Sequence, residues 1–125
     1  MKNFFLMAVT LLIFSISHAQ VIGSVSKKGG DTVIKDIDGN IIYSCNCVAG
    51  DIIKCSSKII VTQQRGSNQY WVYTLREGNL ENVYGGNGAA GRLVKASGFS
   101  FFTQYDGETG YHKWTIKNGG LEQEY

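Results

Sequence analysis

"AGDIIKCSSKIIVTQQRGSNQYWVYTLREGNLENVY" (49–84) lies over "AGRLVKASGFSFFTQYDGETGYHKWTIKNGGLEQEY" (90–125) without a gap, at a shift of 41 residues. Thirteen of the 36 pairs are identical, among them Lys54/Lys95, Thr62/Thr103, Gly66/Gly107, Tyr70/Tyr111, Gly78/Gly119, Leu80/Leu121 and Tyr84/Tyr125. Leu75/Ile116 and Arg76/Lys117 are conservative. A match of this length is an internal repeat, and its period sets the architecture. Each unit divides into two strand–turn–strand segments, with bends at Ser56-Ser57, Glu77-Gly78-Asn79, Ser97-Gly98 and Asn118-Gly119-Gly120.

Upstream, "TVIKDIDGNIIYS" (32–44) is one more such segment, turning at Asp38-Gly39 as a two-residue type I′ bend, in which both central residues take positive φ. The turn residues Gly39, Ser57, Gly78, Gly98 and Gly119 are 18, 21, 20 and 21 positions apart. Five antiparallel β-hairpins in series follow. "VIGSV" (21–25) is a further strand or a loose arm. The paired acids of "DIDGN" invite a calcium reading. The matching turns "REGNL" and "KNGGL" do not keep them, and Ile41 and Cys47 stand where an EF-hand loop needs glycine and a bidentate glutamate.

The chain opens "MKNFFLMAVTLLIFSISHAQ": Lys2, an apolar run from Phe4 to Ile16, then Ser17 and Ala19 before Gln20. That is the pattern of a secretory signal peptide at residues 1–19, with a run too short for a comfortable membrane span. Cleavage leaves 125 − 19 = 106 residues, enough for one small domain, read as an arm at 20–30 and a hairpin domain at 31–125. Losing Lys2 lowers the net charge from +2 to +1, which argues against nucleic acid or an anionic membrane as partner. All 16 glycines lie after the leader and there is no proline, a composition of strands and tight turns. The expected address is the periplasm or the cell exterior, with no integral membrane segment in the mature chain.

The series of hairpins resembles the small secreted bacterial repeat proteins described as five-fold β-flowers. The resemblance is carried by the "DGNII", "EGNL" and "GGL" turns and by the "SSKIIVTQ" and "SGFSFFTQ" hairpins. It covers residues 31–125 and implies an all-β fold with hairpin petals in a flower-like or propeller-like closed arrangement, with no established catalytic residues. A propeller built from 41-residue, blade-sized meanders is the alternative, and it would need oligomerisation to close.

A lone hairpin is marginal in water, so each must bury one face. Alternation puts His112, Trp114 and Ile116 on one face, matched by Trp71, Tyr73 and Leu75 in the other unit; with Ile60, Phe101, Leu80 and Leu121 these form the expected shared core.

Few residues carry chemistry. Cys45, Cys47 and Cys55 are an odd number for an exported chain. Cys45 and Cys47, roughly 6.6 Å apart along a strand, are poorly placed to bridge each other, so one of them is expected to pair with Cys55. The three thiols also allow a redox or metal-binding module, though they lack a recognised zinc spacing. His112, the sole histidine after the leader, has no marked partner for acid–base work. "GGNGAAG" (85–91) lacks the strand-to-helix context of a phosphate loop. An enzyme is not expected, nor a cofactor. Tyr70, Tyr84, Tyr111 and Tyr125 recur at equivalent strand ends, where aromatic rings serve either as cross-strand packing or as a ligand surface. The functional expectation is a binding or structural role in the cell envelope, with an envelope protein or a glycan as partner.

Overall fold

The structure, a computed structural model, describes residues 21–124. The leader expected at residues 1–19, and Tyr125, lie outside the described residues. The described chain is all β: β1 (Ser24–Lys28), β2 (Asp31–Lys35), β3 (Ile41–Cys45), β4 (Ile52–Cys55), β5 (Ile60–Gln63), β6 (Tyr70–Arg76), β7 (Asn79–Gly86), β8 (Arg92–Ser97), β9 (Ser100–Gln104), β10 (His112–Lys117) and β11 (Gly120–Glu124). No helix among the described residues is long and apolar enough to cross a membrane.

The five expected hairpins are all present, as β2–β3, β4–β5, β6–β7, β8–β9 and β10–β11. They do not stand alone. β5 also pairs with β6 and β9 with β10, so the chain makes three antiparallel meanders: β1-β2-β3, β4-β5-β6-β7 and β8-β9-β10-β11. The 41-residue repeat is therefore one four-stranded sheet plus its linker. "VIGSV" leads into β1 through Ser24 and Val25, an edge strand of the first sheet.

Turn chemistry follows the residues. Glu77 (φ 53°) with Gly78 (φ 78°), and Asn118 (φ 52°) with Gly119 (φ 79°), form two-residue bends in which both central residues are left-handed. The first hairpin departs from the expected Asp38-Gly39 bend. Of its turn residues only Gly39 is left-handed, and the main chain closes over five residues, with Asp36 N donating to Asn40 O at 2.9 Å. The Asp36 carboxylate accepts from Asp38 N at 2.9 Å and Asn40 N at 3.0 Å, so this acid of the pair caps the turn.

The core also differs from the single shared one expected. The second sheet is buried on both faces, and strict alternation sorts its side chains. Ile52, Val61, Tyr70 and Val72 pack with Leu93, Phe101 and Trp114 of the third sheet. Ile53, Ile60, Trp71, Tyr73 and Leu75 pack with Ile22, Ile34 and Tyr43 on the side of the first sheet. Two cores result, one at each face of the middle sheet. The second and third sheets turn the same face, carrying Tyr73 or its equivalent Trp114, toward the sheet before them.

The third sheet's opposite face packs against no other sheet among the described residues, and its residues change accordingly. Lys113 stands where the second sheet has Val72 and is paired with Glu124 at 2.9 Å, while Tyr111, the equivalent of fully buried Tyr70, is 55% exposed. Charge and exposure thus replace burial on this face.

The linkers between sheets are built alike. Gly50 (φ 86°) and Gly91 (φ 97°) are repeat equivalents, and both run against the next sheet: a Cβ would lie 2.9 Å from the Thr62 side chain at Gly50 and 2.9 Å from the Tyr105 ring at Gly91. A long polar side chain of the preceding sheet then seizes each linker. Lys27 Nζ donates to the carbonyls of Val48, at 2.8 Å, and Gly50. Gln63 Nε2 donates to the Gly91 carbonyl at 2.8 Å.

Candidate functional site

The equivalent loops 64–69 and 105–111 lie at the same end of the second and third sheets, beside the linker that joins those sheets. Each begins with a glutamine whose amide closes the loop onto the carbonyl four residues on: Gln63 Nε2 to Ser67 O at 2.9 Å, and Gln104 Nε2 to Glu108 O at 3.0 Å. The main-chain bonds Ser67 N to Gln64 O and Glu108 N to Tyr105 O, both 3.1 Å, repeat as well. Two similarly braced loops thus flank a cleft of about 580 Å³, whose lining includes Arg65, Asn68, Arg92, Tyr105 and Asp106.

Its floor is rigid. Gln63, 4% exposed, shares its two amide N–H groups among Ser67 O, Gly91 O and, at 3.0 Å, Tyr70 Oη, and accepts from Leu93 N at 2.9 Å; Tyr70 Oη in turn donates to the Gly91 carbonyl. Every polar group of this amide is used within the protein. Burial, and then the proximity of Tyr105, push the Tyr70 hydroxyl up to about 12.

The walls are held from behind. The Tyr105 ring lies 4.0 Å from the His112 ring, centroid to centroid. His112 is fixed in turn by Glu108 Oε2 at 3.0 Å and Gln123 Nε2 at 3.2 Å. On the opposite loop, Arg65 is anchored by Asp51, whose carboxylate accepts from Arg65 N at 2.7 Å and Nε at 3.3 Å. That main-chain bond is the first cause holding the Asp51 carboxyl below the usual carboxylate range. In the next unit the charges are exchanged: Arg92 replaces Asp51 and Asp106 replaces Arg65. Arg92 Nη2 donates to Gln104 Oε1 at 3.2 Å, so the cleft offers guanidinium, amide, carboxylate and phenol groups on a braced frame.

Of the four tyrosines expected as a ligand surface, Tyr125 lies outside the described residues and the other three are dispersed. Tyr70 is wholly buried and stacks on Phe101, ring centroids 5.6 Å apart. Tyr84 is half-buried, its hydroxyl accepting from Gly88 N at 2.9 Å. Tyr111 is exposed on the outer face of the third sheet, 5.6 Å from Lys95 Nζ. None of these three lines the cleft.

The expected pairing of Cys55 is overturned. Cys45 and Cys47 form the disulfide, with Cα atoms 5.3 Å apart, and Cys55 is a free thiol. The estimate that separated them assumed an extended strand. β3 ends at Cys45 and the chain bends at Asn46, which draws Cys47 back toward its neighbour. No group of three or more potential metal ligands occurs among the described residues.

Sequence reasoning did not single out the cleft residues. The repeat changes five of the six residues in these loops, Gln64/Tyr105, Arg65/Asp106, Ser67/Glu108, Asn68/Thr109 and Gln69/Gly110, and keeps Gly66/Gly107; residues 57–61 change as completely, so the variation did not mark the cleft. Compared with known proteins, the chain matches no family model, no curated protein and no solved structure.

Proposed function

We propose that the chain is an exported, non-enzymatic binding module of the cell envelope, and that it takes a glycan in the cleft between the second and third sheets. The observation that carries this reading is the make-up of the cleft. Planar polar groups at Arg92, Asn68 and Asp106 suit the paired donors and acceptors of sugar hydroxyls, and the Tyr105 ring offers a face for an apolar sugar surface. The bracing of both walls keeps the ordering cost of binding low. Export is supported by the leader pattern at residues 1–19 and by an oxidised cysteine pair.

The flower-like arrangement belongs to the same proposal. Packing of β4 against β1 and against β8 supports an axis near the first strands of the sheets. The solvent-facing outer side of the third sheet supports a fan of petals in place of full closure.

A glycan array probed with the labelled chain, followed by calorimetric titration of the strongest hit, tests the reading. Tyr105→Ala or Arg92→Ala is expected to weaken binding by roughly tenfold, about 1.4 kcal/mol. Absence of any binding glycan, or binding unchanged in both variants, refutes it.

A further inference from the structure

The Cys45–Cys47 disulfide fastens nothing to anything else. It closes a ring around the single residue Asn46 and joins β3 to no other element. A cross-link stabilises a fold chiefly by removing freedom from the unfolded chain, and the effect shrinks with the length of chain enclosed. This one encloses almost none. Cys55, which sits in the next sheet and would have made an inter-sheet staple, is left as a thiol.

The two sulfurs differ in surroundings. Cys47 is exposed, as is Asn46 beside it, so an incoming thiol has access. Cys45 is half-buried against the cluster formed by Ile22, Ile34, Val48 and Tyr73. The main-chain N–H of Cys47 points at Cys45 Sγ, with N and S 3.3 Å apart. A donor aimed at a sulfur stabilises that sulfur as thiolate, and a better stabilised thiolate leaves faster in exchange. The pair therefore has a polarity built in, with Cys47 the sulfur attacked and Cys45 the sulfur released.

We propose that Cys45–Cys47 is a thiol–disulfide exchange site whose substrates are solvent-accessible dithiols on other proteins. A substrate thiolate attacks Cys47 Sγ, forming a mixed disulfide and breaking the Cys45–Cys47 bond, with the electron pair leaving on Cys45 Sγ. The second substrate thiolate then attacks the substrate sulfur of the mixed disulfide and releases Cys47 as thiolate. The substrate loses two electrons and becomes a disulfide; Cys45 and Cys47 gain them and take up the two protons. A low-molecular-weight disulfide such as oxidised glutathione reverses the change in the protein. Cys55 takes no part: burial pushes its thiol up, against a weaker opposing hydrogen bond from the Val25 main chain. The inference stands apart from the glycan cleft and shares no residue with it.

The test uses the oxidised full chain, a fluorescent peptide bearing two reduced cysteines, and glutathione redox buffers read by alkylation and mass spectrometry. One equivalent of peptide is expected to be oxidised, on the order of tenfold faster than by the same concentration of oxidised glutathione. In the buffers, Cys45 and Cys47 equilibrate in the folded chain at millimolar glutathione. Cys47→Ser abolishes peptide oxidation and Cys55→Ser leaves it unchanged. A disulfide that stays closed under native conditions in excess reduced glutathione overturns the proposal. So does peptide oxidation that survives Cys47→Ser. The buffer measurement needs no variant, so a misfolded Cys47→Ser chain does not protect the idea.

Discussion

Gln63 and Gln104 occupy the same place in the two units, and their replacement by alanine should separate two kinds of hydrogen bond. At Gln63 the lost amide serves Ser67 O, Gly91 O, Tyr70 Oη and Leu93 N, at 2.8 to 3.0 Å. The residue is 4% exposed, and the Leu93 N–H it satisfies lies where no water replaces it. Each buried polar group left without a partner costs about 1–3 kcal/mol. One fully orphaned N–H, carbonyls left with weaker partners, and the void together give about 3 kcal/mol for Gln63→Ala. At Gln104 the bonds to Arg92 and Glu108 are exposed, and water can take them over, so Gln104→Ala should cost less than about 1 kcal/mol. Urea unfolding followed by circular dichroism, with the slope held common, reads the difference directly. In a thermal melt the same energies correspond to a fall of about 12–24 °C against a few degrees. Equal losses in the two variants would refute the claim that Gln63 locks the second sheet to the third.

Two further outcomes follow from the same contacts. Trp114 is 6% exposed and donates from Nε1 to Thr103 Oγ1 at 2.9 Å, so Trp114→Ala should lower stability by about 3–5 kcal/mol in urea unfolding; an unchanged midpoint would mean that this core does not form. The Tyr70 hydroxyl is raised in the folded state to about 12 from 10.0, so the folded chain holds its proton longer than the unfolded one. Stability from this group is then complete below pH 10 and lost as pH rises toward 12, by roughly 2–3 kcal/mol. Tyr70→Phe should flatten that alkaline decline in melts taken between pH 9 and 12, and an identical decline in the variant would contradict the assignment.

The hairpins were legible because their determinants are local: the alternation in "YHKWTIK" and glycine at each bend are readable within a dozen residues. The assembly of hairpins into sheets was less so. Whether Gln64–Gln69 separates two petals or joins two paired strands depends on the Gln63 amide, a single buried side chain with partners up to 30 positions away. Lys27 was likewise unremarkable in sequence, and its meaning comes from the linker carbonyls folded beneath it. The tyrosine set misled for a geometric reason. Repeat equivalence preserves position within a sheet but not what faces the sheet, and Tyr70 meets a neighbouring sheet where Tyr111 meets water. The substitution of Val72 by Lys113 announced that difference. The cysteine pairing was misjudged because strand spacing was carried one residue past the end of the strand.

Three separate meanders leave three outer edges, β3, β7 and β11, where main-chain groups could recruit strands from another molecule. Each edge carries a deterrent. β11 is lined with acids in ion pairs, Lys113–Glu124 at 2.9 Å and Lys117–Glu122 at 3.4 Å. β7 is offset by an irregularity opposite Val72 and Tyr73, and β3 by another beside Ile34 and Lys35. The ring at Cys45–Cys47 adds a stop to β3, bending the chain away just where an invading strand would extend its ladder. Apolar side chains stay exposed at two hairpin tips, Ile37 at 78% and Ile41 at 63% in the first, and Phe99 at 53% between β8 and β9. Protection against fibrillar growth thus runs along the strands and stops short of these tips, where a lysine in place of the exposed apolar residue would extend it.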